Sequence, residues 1–282
     1  MRLDAHQHFW NYTAHAADYG WMTAKHAVLR RDFEPPQLAP LLQQIGFDGT
    51  IAVQARELTA ETDYLLGLAA RHPFIKGVVG WLDLTRPDIE RDLPRYSANP
   101  LLRGLRLLIH DQPDVDFASS PAHRRGVGRL RPYGLTYDLL VRPPHLRPAT
   151  ALVDGLPDQP FVVDHLAKPL IAARRFSPWR EDLAELARRP NVTCKLSGLV
   201  TEADWAAWTP ADLVPYLDLA LELFGPHRLM IGSDWPVCTC AADYGRTMRV
   251  VIDWAAKLSP GERDAVLGGT CAKFYGIHPE IT

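Results

Sequence analysis

The feature of this sequence that most constrains its fold is a regular alternation of short apolar runs with helical patterns. Eight runs of strand length lie between residues 3 and 234, and a helical pattern follows each of them. No linker rich in glycine or serine interrupts the series. Short apolar strands that alternate with amphipathic helices are typical of a parallel sheet covered by helices, and eight such units close naturally into a (β/α)8 barrel. We therefore predict an α/β fold, a single TIM barrel domain spanning residues 1–282.

The predicted elements follow from apolar periodicity and from proline and glycine at their ends. We predict strands at residues 3–10, 49–55, 75–83, 102–109, 135–141, 161–165, 192–196 and 229–234. We predict helices at residues 35–45, 59–71, 87–96, 121–130, 144–153, 178–189, 210–224 and 244–257, with a last one near 260–267. Residues 10–34 are aromatic and irregular, and a loop of that length is usually functional or caps something. A doubly wound open sheet is the alternative fold, but it would normally bring a glycine-rich phosphate turn after its first strand.

Composition and net charge limit the classes of protein to which this chain can belong and the kinds of partner that we expect. The 282 residues are 47% hydrophobic and 23% charged, as in soluble globular proteins. A net charge of −2 gives no reason to expect nucleic acid or an anionic membrane as a partner. No apolar stretch approaches the roughly 20 residues that span a bilayer, and we expect no signal peptide. We expect a small-molecule partner, with the protein acting as a monomer or homodimer.

The cysteines indicate a reducing compartment. All four lie in the C-terminal third of the chain, and two of them, Cys238 and Cys240, are one residue apart. That spacing is a poor disulfide framework, so we expect a cytoplasmic location. A metal or redox role for Cys238 and Cys240 is the other reading, but no second cysteine pair stands nearby to complete such a site.

The first predicted strand carries two histidines, His6 and His8, one residue apart. Side chains alternate between the faces of a strand, so these two point the same way while Gln7 points oppositely. Two inward-facing imidazoles are unfavourable unless they bind something or are well hydrogen-bonded, and a divalent metal or a reacting group is the usual occupant. A pair of hydrogen-bonded core histidines is the alternative.

Polar residues end the predicted strands repeatedly. In a TIM barrel the active site lies at the C-terminal ends of the strands, so these side chains converge on one mouth. Any one of them alone could belong to a buried ion pair, but the convergence favours an active site. From the first strand to the eighth, the set comprises His6 and His8; Gln54 and Arg56; Trp81 and Asp83; Arg106 and His110; Tyr137 and Asp138; Asp164, His165 and Lys168; Lys195 and Ser197; and Ser233, Asp234 and Trp235.

Several of these segments resemble the amidohydrolase superfamily, and within it the branch of sugar-lactone hydrolases that act on L-fuconolactone or L-rhamnonolactone. The resemblance covers nearly the whole chain, and its last two segments are quite specific. The matching segments are residues 4–10 (DAHQHFW), 53–56 (VQAR), 79–81 (VGW), 103–106 (RGLR), 164–165 (DH) with 168–169 (KP), 194–202 (CKLSGLVTE) and 232–238 (GSDWPVC).

The resemblance implies the chemistry of lactone hydrolysis, which needs a base for water, an electrophile for the carbonyl oxygen and an acid for the leaving alkoxide. Asp234 is the implied base. His6, His8, His165 and Asp234 are the implied ligands of one divalent ion, zinc by preference, although imidazoles could also polarise the carbonyl directly. His165, Arg106 and Lys195 complete the catalytic set. Flat tryptophan faces suit sugar rings, and the implied substrate-binding residues are Trp10, Gln54, Trp81, Tyr137, Lys168 and Trp235.

One departure from the superfamily bears on the number of metal ions. Two-metal members carry a bridging Lys or Glu on strand four and a His on strand five, where this chain offers Arg106 and Asp138. That difference argues against a binuclear site, and an ester's alkoxide leaves easily enough that activity could partly survive without metal. Two other functions stay open: a metal-dependent decarboxylase of an unsaturated or aromatic acid, and an inactive sugar-acid binding protein.

Overall fold

Eight parallel strands in sequence order form the sheet of a computed structural model, which describes residues 1–278. Each strand pairs in parallel with the next one along the chain. The predicted (β/α)8 barrel is confirmed. The strands are β1 (Leu3–Gln7), β2 (Gly49–Val53), β3 (Ile75–Gly80), β4 (Leu102–Leu107), β5 (Thr136–Leu139), β6 (Phe161–Val163), β7 (Val192–Leu196) and β8 (Leu229–Ile231).

The barrel closes where β1 meets the segment after β8. The backbone N–H of Asp234 donates to the carbonyl of His6 at 2.8 Å, and that of His8 donates to the carbonyl of Trp235 at 2.6 Å. Beside them, the buried Asp4 carboxylate accepts hydrogen bonds from the Ser233 N–H at 2.9 Å and the Ser233 hydroxyl at 2.6 Å. The seam therefore brings His6, His8 and Asp234 together through main-chain contacts.

Helices cover the outside of the barrel. Their starts follow ordinary capping chemistry: at Thr209 both the backbone N–H and the hydroxyl donate to Asp212 at 2.9 Å, which begins the helix that follows. The helices are α1 (Tyr12–His15), α2 (Pro35–Gln44), α3 (Thr59–Arg71), α4 (Leu93–Ser97), α5 (Pro121–Val127), α6 (Leu146–Asp154), α7 (Trp179–Ala187), α8 (Leu199–Glu202), α9 (Pro210–Phe224), α10 (Tyr244–Ala255), α11 (Pro260–Asp264) and α12 (Thr270–Phe274). No helix within residues 1–278 is long and apolar enough to cross a membrane.

Many predicted boundaries differ from the structure by a few residues, and every strand except β7 ends earlier than predicted. The strands predicted to reach residues 165 and 234 stop at Val163 and Ile231. The reason lies in the backbone, since His165 and Asp234 have φ angles of 54° and 57°, and a strand cannot continue through left-handed residues. The predicted irregular segment 10–34 contains α1 and two short 3₁₀ turns, and the last predicted helix, near 260–267, is α11 followed by a π-helical turn that precedes α12.

The core has two parts. The larger one lies between the sheet and the helices. The smaller one joins apolar side chains from strands that are not neighbours in the sheet, such as Val79 on β3 and Val162 on β6, so it fills the barrel interior. Cys271 and Tyr275, in and just after α12, belong to the same cluster and help close it.

Candidate active site

Three imidazoles and one carboxylate meet at the barrel seam. The Nε2 atoms of His6 and His8 lie 3.2 Å apart, and Asp234 Oδ1 lies 3.3 Å from His8 Nε2. The same oxygen is 3.9 Å from His6 Nε2 and 4.0 Å from His165 Nε2. All four side chains are buried. The structure thus brings together the four residues that the resemblance implies as metal ligands.

The imidazoles of His8 and His165 are oriented by hydrogen-bonding partners at Nδ1, on the side of each ring away from Asp234. His8 Nδ1 lies 2.8 Å from the carbonyl oxygen of Val53, which can only accept, so Nδ1 carries a proton and Nε2 faces Asp234. His165 Nδ1 lies 2.8 Å from the Ser197 hydroxyl. Partners of this kind fix the ring orientation of metal-binding and catalytic histidines.

The protonation of the cluster suits ligand binding. Burial lowers the pKa of His6 and of His165 well below the ordinary value, so both imidazoles are neutral at pH 7. Burial opposes ionisation of Asp234, but the neighbouring His165 and His8 hold the pKa of this carboxyl below its usual range. Neutral nitrogen donors and a carboxylate are the donor set that zinc prefers.

Two overlapping groups of side chains have the donors for a metal ion. His6, His8 and Asp234 form one group and His6, Asp164 and His165 the other, with ligand atoms within 4.8 Å of one another. Both oxygens of Asp164 face cations of the protein, because Arg106 Nη1 lies 2.9 Å from Oδ2 and a lysine ammonium lies 3.0 Å from Oδ1. The first group therefore fits a divalent ion better, with His165 beside it.

That ammonium belongs to Lys195, which sits in a buried charge cluster. Its Nζ lies 2.5 Å from Asp138 Oδ2, 3.0 Å from Asp164 Oδ1 and 3.2 Å from His6 Nδ1. Tyr275 donates to the same Asp138 oxygen at 2.8 Å. The positions predicted to lack the ligands of two-metal relatives, Arg106 and Asp138, are thus engaged in ion pairs. Lys195 contacts the Nδ1 atom of His6, whereas the cavity-lining His8 lies beside the Nε2 atom on the other side of the same ring.

A cavity of about 360 Å³ opens at the C-terminal ends of the strands. Its size suits one sugar-sized molecule, and the histidine–aspartate cluster contributes His8, His165 and Asp234 to its wall. The lining residues are His8, Trp10, Trp21, Lys25, His26, Ala55, Arg106, Leu108, His110, Asp111, Leu140, Arg142, His165, Lys168, Thr201, Glu202, Trp205, Asp234 and Val237.

The structure places the predicted substrate-binding residues unevenly. Trp10 and Lys168 line the cavity, whereas Gln54, Trp81, Tyr137 and Trp235 do not. Gln54 Oε1 instead accepts from Arg106 Nη2 at 3.0 Å, the Tyr137 hydroxyl lies 2.7 Å from His123 Nε2, and the Trp235 ring packs edge-on against aromatic core residues. Lys195 is fully buried and is also absent from the lining. Their roles toward substrate stay predictions, and the structure gives them supporting contacts.

Some cavity residues were not named individually as site residues, although the aromatic segment from Trp10 to Trp21 was predicted to cap the barrel mouth. Trp21, His26 and Trp205 form a row of edge-on rings with centroids 5.5 Å apart from one to the next, which joins segment 10–34 to the loop after α8. Glu202 ends the matching segment 194–202, so its place in that motif was an available signal. Arg142 directly follows the strand predicted at residues 135–141, so its position was also an available signal, whereas Trp205 follows no strand end directly.

Comparisons with known proteins agree with this geometry. The model of the amidohydrolase family matches residues 3–277. The chain is 42% identical to L-fucono-1,5-lactonase of Burkholderia multivorans and 37% identical to L-fucono-1,5-lactonase of Burkholderia ambifaria, in each case over 98% of this chain and 96% of the relative. A crystal structure of an amidohydrolase from Burkholderia multivorans with bound zinc, 42% identical, superposes with a TM-score of 0.94 over 99% of this chain and 100% of that one.

The family match over nearly the whole chain and the similarity to these relatives confirm the resemblance drawn from the strand-end motifs. The metal-capable residues and the cavity lie where that family's fold places its chemistry, at the C-terminal ends of the barrel strands. This chain belongs to the amidohydrolase family.

Proposed function

We propose that this protein is a sugar lactonase, which hydrolyses an aldonolactone such as an L-fucono- or L-rhamnono-lactone to the free sugar acid. The observation that carries the proposal is the ionised Asp234 beside three imidazoles at the wall of a sugar-sized cavity. The relatives named L-fucono-1,5-lactonase support the substrate class.

Asp234 and Arg106 have different roles in the proposed reaction. Asp234 removes a proton from the attacking water, since its low pKa keeps it ionised and its Oδ1 faces His8 and His165. Arg106 lines the cavity with its Nη1 3.3 Å from His6 Nε2, where a guanidinium stabilises the negative charge that develops on the carbonyl oxygen. After attack, Asp234 holds the proton that the leaving ring oxygen requires.

His6, His8 and Asp234, with His165 beside them, would hold one divalent ion, and we propose zinc. Such an ion supplies Lewis-acid polarisation of the carbonyl and a more acidic water. The far-side partners of the imidazoles support this assignment, because Val53 and Ser197 leave the Nε2 atoms of His8 and His165 directed toward Asp234.

Two alternatives fit the cavity less well. A decarboxylase must bind a permanently charged substrate carboxylate, but Asp164 already neutralises Arg106 and Glu202 already neutralises Lys168, whereas hydrogen bonding to a transient oxyanion or to a hydroxyl group needs no net positive charge. A binding protein without activity would not need the complete set of His6, His8, His165 and Asp234. A single domain over residues 1–282, a cytoplasmic location and a monomer or homodimer stay predictions.

A panel of aldonolactones assayed with a pH indicator tests the proposal, with spontaneous hydrolysis subtracted. We expect enzyme-dependent acid release from L-fucono-1,5-lactone or a close stereoisomer. Carbon dioxide release from an aromatic or unsaturated acid would instead identify a decarboxylase. Saturable binding of a sugar acid without turnover of any lactone would identify a binding protein.

A further inference from the structure

The loop after β6 contains an unusual run of backbone conformations. His165, Leu166, Ala167 and Lys168 have φ angles of 54°, 51°, 58° and 52°, a left-handed turn built without glycine. Such residues are energetically unfavourable and persist where surrounding contacts hold them, which is common at functional sites. Here the Trp179 indole N–H donates to the Leu166 carbonyl at 2.7 Å. The first and last residues of the turn, His165 and Lys168, both line the cavity.

The next loop along the barrel supplies a partner for Lys168. Helix α8 ends at Glu202, whose carboxylate Oε1 lies 3.2 Å from the ammonium of Lys168. The Ala172 N–H donates to the Glu202 carbonyl at 3.0 Å, which ties the two loops together. Both side chains line the cavity and are 15% and 16% exposed, respectively. The Lys168–Glu202 pair is therefore held in place and remains accessible to a ligand.

The pair has hydrogen-bonding capacity to spare. Among the residues that the structure describes, each of these two side chains has the other as its only hydrogen-bonding partner. The contact uses one of the three ammonium N–H groups and one of the two carboxylate oxygens. An adjacent donor and acceptor with no net charge match two neighbouring hydroxyl groups, one of which accepts from Lys168 while the other donates to Glu202.

We propose that the Lys168–Glu202 pair binds two adjacent hydroxyl groups of the lactone ring and sets the preference of the enzyme for polyhydroxylated lactones. This inference rests on the proposed lactonase function and adds Glu202 as a specificity-determining residue. A substrate carboxylate at the same position would be repelled by Glu202. A ring without hydroxyl groups would leave both charges without their ligand, which a site built for hydrogen bonding discriminates against strongly.

The test compares two lactones within each protein. We would measure kcat/KM for L-fucono-1,5-lactone and for δ-valerolactone, which has the same ring without hydroxyl groups. The variants are Lys168→Met, Glu202→Gln and the double variant, which leaves no unpaired charge in the wall. Glu185→Gln and Lys257→Met change the same residue types in ion pairs outside the cavity lining and serve as matched controls.

The ratio of the two kcat/KM values is the decisive quantity. Lys168 also contributes to the low pKa of Asp234, so its loss affects the turnover of any lactone, and the ratio cancels that effect. We expect the ratio to fall by about ten- to a hundredfold in all three variants and to stay unchanged in the controls.

Two outcomes would overturn the assignment. Suppose that the wild-type enzyme hydrolyses L-fucono-1,5-lactone and that the double variant has the same ratio of kcat/KM values as the wild type. That result rejects the hydroxyl-binding pair and leaves the lactonase function standing. A wild-type enzyme that hydrolyses no lactone rejects the proposed function, and the hydroxyl-binding pair falls with it.

Discussion

Asp234 meets two demands with one carboxylate, because it is both the proposed base and a proposed metal ligand. Its Oδ1 faces all three histidines at distances between 3.3 and 4.0 Å, and its backbone is left-handed, with φ at 57°. These constraints aim the oxygen at the point where the imidazole nitrogens converge. Any change at this residue must therefore be assayed for metal content as well as for turnover.

Asp234→Asn is expected to keep the fold and to lose at least about 10²-fold in kcat, since an amide of nearly the same shape cannot accept the proton from water. Lactone turnover, metal content and the melting temperature should be measured together. Asp111→Asn, which changes another carboxylate of the cavity lining, is the matched control and should lose far less activity. A variant that retains most of its kcat would move the base elsewhere, with His165 as the next candidate.

The donor atoms at the seam predict one bound divalent ion per chain. His6, His8 and Asp234 can hold it, while the ion pairs of Asp164 with Arg106 and Lys195 leave no room for a second. Elemental analysis of protein purified without chelator should find about one equivalent of zinc or a similar metal. Less than about a tenth of an equivalent would reject the site. After prolonged chelation, we expect reduced but not abolished hydrolysis, which added Zn²⁺ restores.

At the scale of elements, the connection from β7 into α8 depends on Gly198. Its φ is +65°, and a Cβ added there would lie 2.6 Å from His165 Nδ1 and 2.7 Å from the ring carbon Cγ. A side chain at this position must displace the imidazole from Ser197 and from the cavity wall. The loop after β7 thus sets the position of His165, a proposed catalytic residue that belongs to the loop after β6.

Gly198→Ala is therefore expected to reduce kcat/KM by more than about tenfold, because it moves His165 and adds the cost of a left-handed alanine. Gly134→Ala is a close control, since Gly134 has φ +69° with no atom near the added Cβ. It carries the same left-handed backbone cost of about 1–2 kcal/mol without the collision. Equal activities in the two variants would show that the contact with His165 is unimportant.

At the scale of the whole molecule, the fold was predictable and the fine structure of the site was predictable only in part. The alternation of strands and helices identified the barrel, and strand ends placed His6, His8, His165 and Asp234 at one mouth. Alternation along a strand also predicted that His6 and His8 face the same way, and their Nε2 atoms lie 3.2 Å apart.

What escaped prediction depends on contacts between distant parts of the chain. Lys195 and Tyr137 were predicted to face the barrel mouth as Asp234 does, but partners elsewhere in the sequence, Asp138 and His123, draw them into buried hydrogen bonds. The turn from His165 to Lys168 contains no glycine, so the local sequence does not indicate its left-handed backbone. Tertiary contacts, such as that of Trp179 with Leu166, impose it, and local sequence patterns do not encode such contacts.

The seam between β1 and the segment after β8 affects when activity can appear while the chain is being synthesised. His6 and His8 are synthesised more than two hundred residues before Asp234. Main-chain bonds across that seam bring them into contact, so a nascent chain that has folded its first seven strands still lacks its proposed base. If Asp234 is the base, we expect no lactone hydrolysis until the circle of strands is complete, so that the onset of hydrolysis would report that the last strand has joined the first.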